Sequence, residues 1–383
     1  MMTRRAFLRM AGTVGVGLGA LAAVGRAHGQ APGAARAINL TTDLGVPADG
    51  SDASALIPRA LARVPQGSTV VFQPGGRYGI TGALRLEGLA NLTLSGQGAV
   101  LVRATPSGRR VRYVEIENCR NLTIEGLELA GPERDWRYEG GVEFQPGFYL
   151  RGNDGIVLRG LYVHHVGGDG IQVHGRVQDP ARNITIERVR VEFARRQGIT
   201  LTNCDGVVVQ DCSIAWIGRS GFDLEPYAAD WYSNRITIRR CKVAHLNNYI
   251  LAAGGDGRHD GLTFERNEGI GGLGFALIGT RTAPPATGVV VTGNRYTWDD
   301  PEHRQRRNLS DFHVRAGDAV TVTDNTLTFN SETAVEILAP AGVVRGNTFA
   351  GVNEGLVVGR GVEASGNTVT TRKGQPAPTR VSA

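Results

Sequence analysis

From about Val70 onward the chain repeats one short motif: a turn residue, then a short apolar strand in which alternate positions are apolar in nearly every copy. Alternation of period two is the mark of a strand with one face buried. The motif ends on an apolar anchor eleven times, at Leu94, Ile124, Leu158, Ile186, Val209, Ile238, Phe264, Val291, Val322, Val344 and Ala364. Successive anchors are 20 to 34 residues apart. No such segment can bury its face alone, so the repeat predicts stacked coils sharing a continuous core. Three residues beyond five of the anchors stand Asn267, Asn294, Asn325, Asn347 and Asn367. Stacking would place their amides in one hydrogen-bonded ladder. Cys212 and Cys241 occupy the same column, which makes them small buried turn residues. The alternative reading of the pattern, a β-sandwich, leaves this common offset unexplained.

A second strand column starts on glycine: GFYL from Gly147, GIQV from Gly170, GITL from Gly198, GFDL from Gly221 and GFAL from Gly274. With the first apolar residue inward, the outward pairs are Tyr149 and Arg151, Gln172 and His174, Thr200 and Thr202, Asp223 and Glu225, then Ala276 and Ile278. A polar patch several coils tall results, fading toward the C-terminus. The inserts Gly131–Pro146 and Thr297–Leu309 are long enough to wall a groove over it.

Before the repeat, apolar spacing over Ser54–Val64 predicts a short amphipathic helix, with Ser51 and Asp52 as capping oxygens, placed to cover the open end of the stack. Residues 1–30 read as a twin-arginine export signal: Arg4 and Arg5 in TRRAFLRM, then an apolar run from Ala11 to Val24. That run is shorter than the roughly 20 residues a membrane span needs. The solenoid is expected over residues 38–369, and the tail 370–383, rich in Pro, Thr and Lys/Arg, is expected to be disordered.

Composition agrees with many short strands and tight turns, since 54 of the 383 residues are glycine. Without the four arginines of the signal the formal charge falls from +6 to about +2. No basic run interleaved with aromatics occurs, so nothing points to nucleic acid. Four cysteines in a chain of this length do not form a disulfide scaffold.

These features resemble the right-handed parallel β-helix proteins of the pectin-lyase-like superfamily. The segment GVPADGSDASALIPRAL is similar to the N-terminal cap signature of pectate-lyase-like and polygalacturonase-like chains, and the repeats extend the resemblance from Ile38 to Val369. It implies an all-β, single-stranded right-handed parallel β-helix of about eleven coils with a short N-terminal capping helix. It further implies a periplasmic or secreted protein that meets a polysaccharide along one face of the helix. The polygalacturonase motifs (NTD, DD, GHG and RIK) are absent, and GDG at Gly168–Gly170 carries one acid where that family has two. GFDLEP is similar to the GFDPHE stretch of mannuronan C5-epimerases: Asp223 matches, whereas Glu225 stands where that family has its catalytic His.

Two carboxylates on one strand face, Asp223 and Glu225, suit glycoside hydrolysis, one as acid and one as base or nucleophile. A solvated acidic edge or a Ca²⁺ site is the plainer reading of the same pair; no other cofactor is called for. His174 is a candidate base and Arg196 a catalytic cation. With Arg219, Arg196 would equally serve uronate lyase or epimerase chemistry by neutralising a carboxylate. Asp169, Gln172, Arg151, Tyr149, Gln197 and Arg219 are the candidate substrate contacts. Trp136, Tyr227, Trp231 and Tyr232 join Tyr149 as candidate sugar-stacking rings. A non-catalytic glycan-binding or surface-structural β-helix is the third reading.

Overall fold

The computed structural model describes residues 37–104, 111–138, 140–141, 144–279, 284–299 and 311–382. The twin-arginine segment and most of the insert after Thr297 lie outside them. The described chain forms one unit from Ala37 on. It winds through three parallel sheets in turn, two of thirteen strands and one of twelve, each strand bonded to its equivalents one coil before and after. All eleven anchors lie in the first sheet, preceded there only by Ala37–Asn39 and Thr69–Val71. They pair in unbroken register, from Leu94 opposite Ile124 to Val344 opposite Ala364.

The asparagine ladder is made of hydrogen bonds. The backbone N–H groups of Asn267, Asn294, Asn325 and Asn347 each donate to the side-chain Oδ1 of the next member, at 2.9, 3.0, 3.0 and 3.0 Å. Each Nδ2 donates to the same Oδ1 and to a carbonyl of the preceding coil. Cys241 N donates into the ladder at Asn267, with Cys212 one coil further back, and all four cysteines are buried and free. Replacing Asn294 by Ala orphans the N–H of fully buried Asn267. Each orphaned buried group costs about 1–3 kcal/mol, so Asn294→Ala should destabilise by about 2 kcal/mol or more. Asn367→Ala, at the half-buried end, should cost clearly less. Equal midpoints for Asn294→Ala and wild type in thermal denaturation would show that the ladder contributes nothing.

Three expectations are corrected. The helix is shorter than the spacing suggests, Leu56–Leu61, and its N-cap is Ala55 without a side-chain cap. Asp52 binds instead Ser54 N at 3.1 Å and Thr81 Oγ1 at 2.7 Å, clasping two coils. In chain order the helix stands where the first coil would place its third-sheet strand, and Ile57, Ala60 and Leu61 join the core.

The tail is ordered too. Thr379–Val381 pairs with Leu356–Val358 and ends the third sheet, because a turn closed by Thr371 and Gln375 folds the chain back.

The third correction concerns phase. Ala276 and Ile278 point inward and are fully buried; Leu277 faces out. The column of Gly170, Gly198 and Gly221 continues through Ile250 and Phe275, one residue past Gly274, and a one-residue offset inverts every side chain. An intervening strand, Tyr249–Ala253, carries the column between them. The glycines are sterically required: a Cβ on Gly170 or Gly221 would lie 2.3 or 2.6 Å from Val191 or Val243 of the facing sheet. Where Ile250 fills that column, the facing position, partnered with Val243, becomes Gly269. Beyond it, aromatic rings fill the core, with Phe275 and Phe312 5.2 Å apart.

Candidate functional site

The third sheet fixes the outward columns by backbone register. Tyr149, Gln172, Thr200, Asp223 and Ala252 form one column; Arg151, His174 and Thr202 form the next, which Glu225 continues. Just before these strands, Gly168, Arg196, Arg219 and Asn248 stack through successive N–H···O=C bonds. Four coils therefore bring the candidate acids together with two arginines.

Arg196 is the hub of the acid cluster. Its Nη1 donates to Asp169 Oδ2 at 3.0 Å and its Nη2 to Glu225 Oε2 at 2.6 Å. Burial alone would push this guanidinium down, but Asp169, Glu225 and Asp223 overcome that and hold it raised. One guanidinium thus bridges Asp169 and Glu225. Among the described residues, no group of three or more His, Cys, Asp or Glu is arranged to hold a metal.

Gln197 orients the second acid. Its Oε1 accepts from Ser220 N at 2.6 Å, so its Nε2 faces Asp223 and donates to Oδ2 at 2.5 Å. A backbone N–H cannot accept, which fixes the direction of this amide. Asn248 Nδ2 donates to Ser220 Oγ at 3.0 Å behind it. Asp223 is only 7% exposed, and burial, with the neighbouring Glu225 charge, pushes its carboxyl up to about 8. Arg196 opposes that shift without cancelling it. Glu225 has 37% of its side chain open to solvent.

Asp169 and Gln197, expected to touch substrate, instead lie beneath the surface, 0% and 1% exposed, because Arg196 and its neighbours cover them. Their contacts assign them to holding Arg196 and Asp223. Tyr149 is covered as well: the Arg112 guanidinium sits 3.7 Å above its ring. Gln172 is half-buried between Tyr149 and Thr200. Arg219 reaches the insert that begins at Gly131, 5.3 Å from the centre of the Tyr138 ring, and Arg195 meets Glu133 there at 3.2 Å.

His174 belongs to a separate, aromatic group. Its Nδ1 is 2.9 Å from Thr202 Oγ1, and the Tyr227 hydroxyl is 3.3 Å from either ring nitrogen. Trp231 meets it edge-on at 5.1 Å between centroids and lies 4.3 Å from Tyr227. Burial, with Arg151 and Arg112 nearby, lowers the imidazole to about 4, so it is neutral at physiological pH. Arg112, which the repeat did not single out, precedes the register-bearing residues of its strand; only its place over Tyr149 reveals it.

Comparison with known proteins agrees with this architecture. Residues 112–295 match the family model described as right handed beta helix region. An uncharacterized Bacillus subtilis (strain 168) protein, YclG, is 29% identical over 219 residues, and that match spans 48% of this chain but only 37% of the relative. Among solved structures, the catalytic unit of a GH87 alpha-1,3-glucanase from Streptomyces thermodiastaticus superposes with a TM-score of 0.56 at 16% identity, covering 94% of this chain and 69% of its own. The Streptococcus pneumoniae surface adhesin PfbA gives 0.61 at 14%, covering 87% and 91%. A Thermotoga maritima exopolygalacturonase gives 0.56 at 13%, with the same coverage. The chain is a right-handed parallel β-helix protein with the pectin-lyase-like fold.

Proposed function

We propose that the protein cleaves a polysaccharide by glycoside hydrolysis outside the cytoplasm, at the cluster of Asp223 and Glu225. The observation that carries this reading is the split environment of the two acids. Asp223 keeps its proton at neutral pH, while Glu225, two residues on and open to solvent, is ion-paired to Arg196. Two carboxyls in unlike surroundings, one buried and one open to solvent, can supply an acid and a base or nucleophile at one pH. Asp223 would protonate the glycosidic oxygen, and Glu225 would attack the anomeric carbon or activate water. Arg196 and Gln197, held by Asp169 and Ser220, would fix both geometries. The fold likeness to the glucanase and the exopolygalacturonase is compatible with a glycan substrate but assigns none.

A second reading draws on His174, a neutral imidazole 3.3 Å from a tyrosine hydroxyl. Such a pair could take the C5 proton of a uronate and return one, as β-elimination or epimerisation requires.

The pH profile tests the first reading. If Asp223 is the acid, turnover should fall above about pH 8 as its proton is lost. The same group makes a stability prediction with a fixed sign. A carboxyl raised in the folded state favours the native state most below its ordinary value near 3.8, and this is lost as pH rises through about 8. Asp223→Asn should therefore melt with wild type near pH 4 and above it at pH 8–9. A variant that melts lower at alkaline pH, or a flat wild-type rate profile through pH 9, would contradict the assignment.

A further inference from the structure

The residues on either side of Glu225 are gripped from the next coil. Gly254 N–H donates to the Leu224 carbonyl at 2.9 Å and Gly257 N–H to the Pro226 carbonyl at 2.8 Å, so two hydrogen bonds bracket the acid. A third, from Arg258 N–H to the Trp231 carbonyl at 3.0 Å, holds the far end of the loop 226–231. The turn 254–257 meets that loop backbone to backbone. A Cβ on Gly257 would fall 2.8 Å from the Ala228 carbonyl oxygen and nearer still to that of Trp231, so any side chain there must lift the loop.

One buried side chain fastens the turn from inside. His259 is 1% exposed, and its Nε2 lies 2.9 Å from the Gly254 carbonyl oxygen. A carbonyl only accepts, so Nε2 carries the proton and donates. Nδ1 meets no donor among the described residues, and burial lowers the imidazole to about 4, so the ring is neutral at physiological pH. Preceding coils place Ala181, Cys204 and Ser233 at this register position. Small side chains satisfy the packing there, whereas a ring with a bare buried nitrogen carries a desolvation cost. What the ring adds is a donor that reaches Gly254.

We propose that His259 is a positioning residue: by fastening the turn 254–257 it seats Glu225 and the loop that lays Tyr227 and Trp231 against His174. The part that concerns Glu225 rests on the hydrolase reading above; the part that concerns His174 does not. The Tyr227 and Trp231 rings lie 5.8 and 5.1 Å from the His174 ring, with Tyr149 at 5.5 Å on another side. Burial leads the lowering of His174 to about 4, ahead of Arg151 and Arg112. The titration of His174 therefore reports whether the loop is seated.

The test compares His259→Leu, His259→Gln and Gly257→Ala in the full chain. His259→Leu removes the donor, and His259→Gln returns one at about the place of Nε2. Gly257→Ala pushes on the loop from the turn while leaving His259 intact, so it carries the test if the buried leucine impairs folding. The first readout is proton NMR titration of the His174 imidazole, assigned by the loss of its signal in His174→Gln. Wild type should titrate near 4. His259→Leu and Gly257→Ala should move that value by about one pH unit or more toward the ordinary histidine value of about 6.5, and His259→Gln should stay near wild type. The second readout is turnover of the responsive polysaccharide, measured well below each melting midpoint. Leu and Ala should lower kcat/KM by about tenfold or more, since misplacement by about 1 Å can cost about a hundredfold; Gln should recover most of it. A lowered melting point with the His174 titration in place would make the fastening merely structural and overturn the proposal, as would His259→Gln behaving like His259→Leu. A moved titration in a protein whose wild type cleaves no glycan would sink the hydrolase reading and leave the seating of the loop standing. Cleavage by wild type, with both readouts indifferent to His259→Leu and Gly257→Ala, would do the reverse.

Discussion

Asp223→Asn and Glu225→Gln should each lower turnover on the responsive polysaccharide by at least about a hundredfold, the scale of losing a general acid or base. The two losses arise differently. Asp223→Asn keeps the Gln197 contact in shape but has no proton to give to a leaving oxygen. Glu225→Gln keeps the bulk beside Arg196 but removes the charge. Measured as reducing ends released, both variants should fail. Measured as unsaturated uronate, a lyase would fail instead in His174→Ala, which a hydrolase should tolerate with no more than a modest loss of affinity. Full activity in both carboxamide variants would remove the acid cluster from the chemistry altogether.

The second large effect concerns stability. Arg196→Met should destabilise the protein by about 3–5 kcal/mol, the usual cost of leaving one member of a buried ion pair uncompensated. The stranded group is Asp169, which is fully buried and keeps the Gln197 backbone N–H, 3.1 Å away, as a donor. Adding Asp169→Asn to Arg196→Met should recover much of the loss, since the charge that made the deletion costly is gone. A double-mutant cycle in chemical denaturation reads this directly. A loss under about 1 kcal/mol in the single variant would mean that water reaches Asp169 and the hub is not dry.

The solenoid was legible in the sequence because every coil repeats the same bargain between one apolar anchor and its neighbours. Eleven anchors from Leu94 to Ala364 share one register because a slip would turn a whole coil inside out. The Asn column was legible for the same reason, since only stacking satisfies a buried amide at a constant offset. The phase at Ala276 was not, because Gly274 imitates the glycine of the preceding coils while standing one residue early. Nor was depth within the outward columns. Period two tells which way Asp223, Tyr149 and Thr200 point, but not that Gln197 and Arg112 lie over or against them. The burial of Asp169 depends on a side chain 27 residues away, Arg196, and no local pattern encodes that contact. The order of the tail was hidden likewise, since Thr379–Val381 is strand-like only because Leu356–Val358 offers an edge.

The exchange of volume at Ile250 and Gly269 divides the solenoid into two kinds of building block. Coils before it interlock a glycine of the third sheet with Val191, Ile214 or Val243, and coils after it are filled by Phe275, Phe312 and Phe349. Coils are exchangeable modules only within their own kind. Duplication or loss of a whole coil on the early side preserves the knob-and-notch fit and lengthens or shortens the outward polar face by one step. A coil moved across the boundary sets a notch against a notch, or a ring against a branched side chain. Descent by coil shuffling would therefore leave the seam at Ile250 fixed while the number of coils on either side drifts, and the acid cluster would travel with the early block.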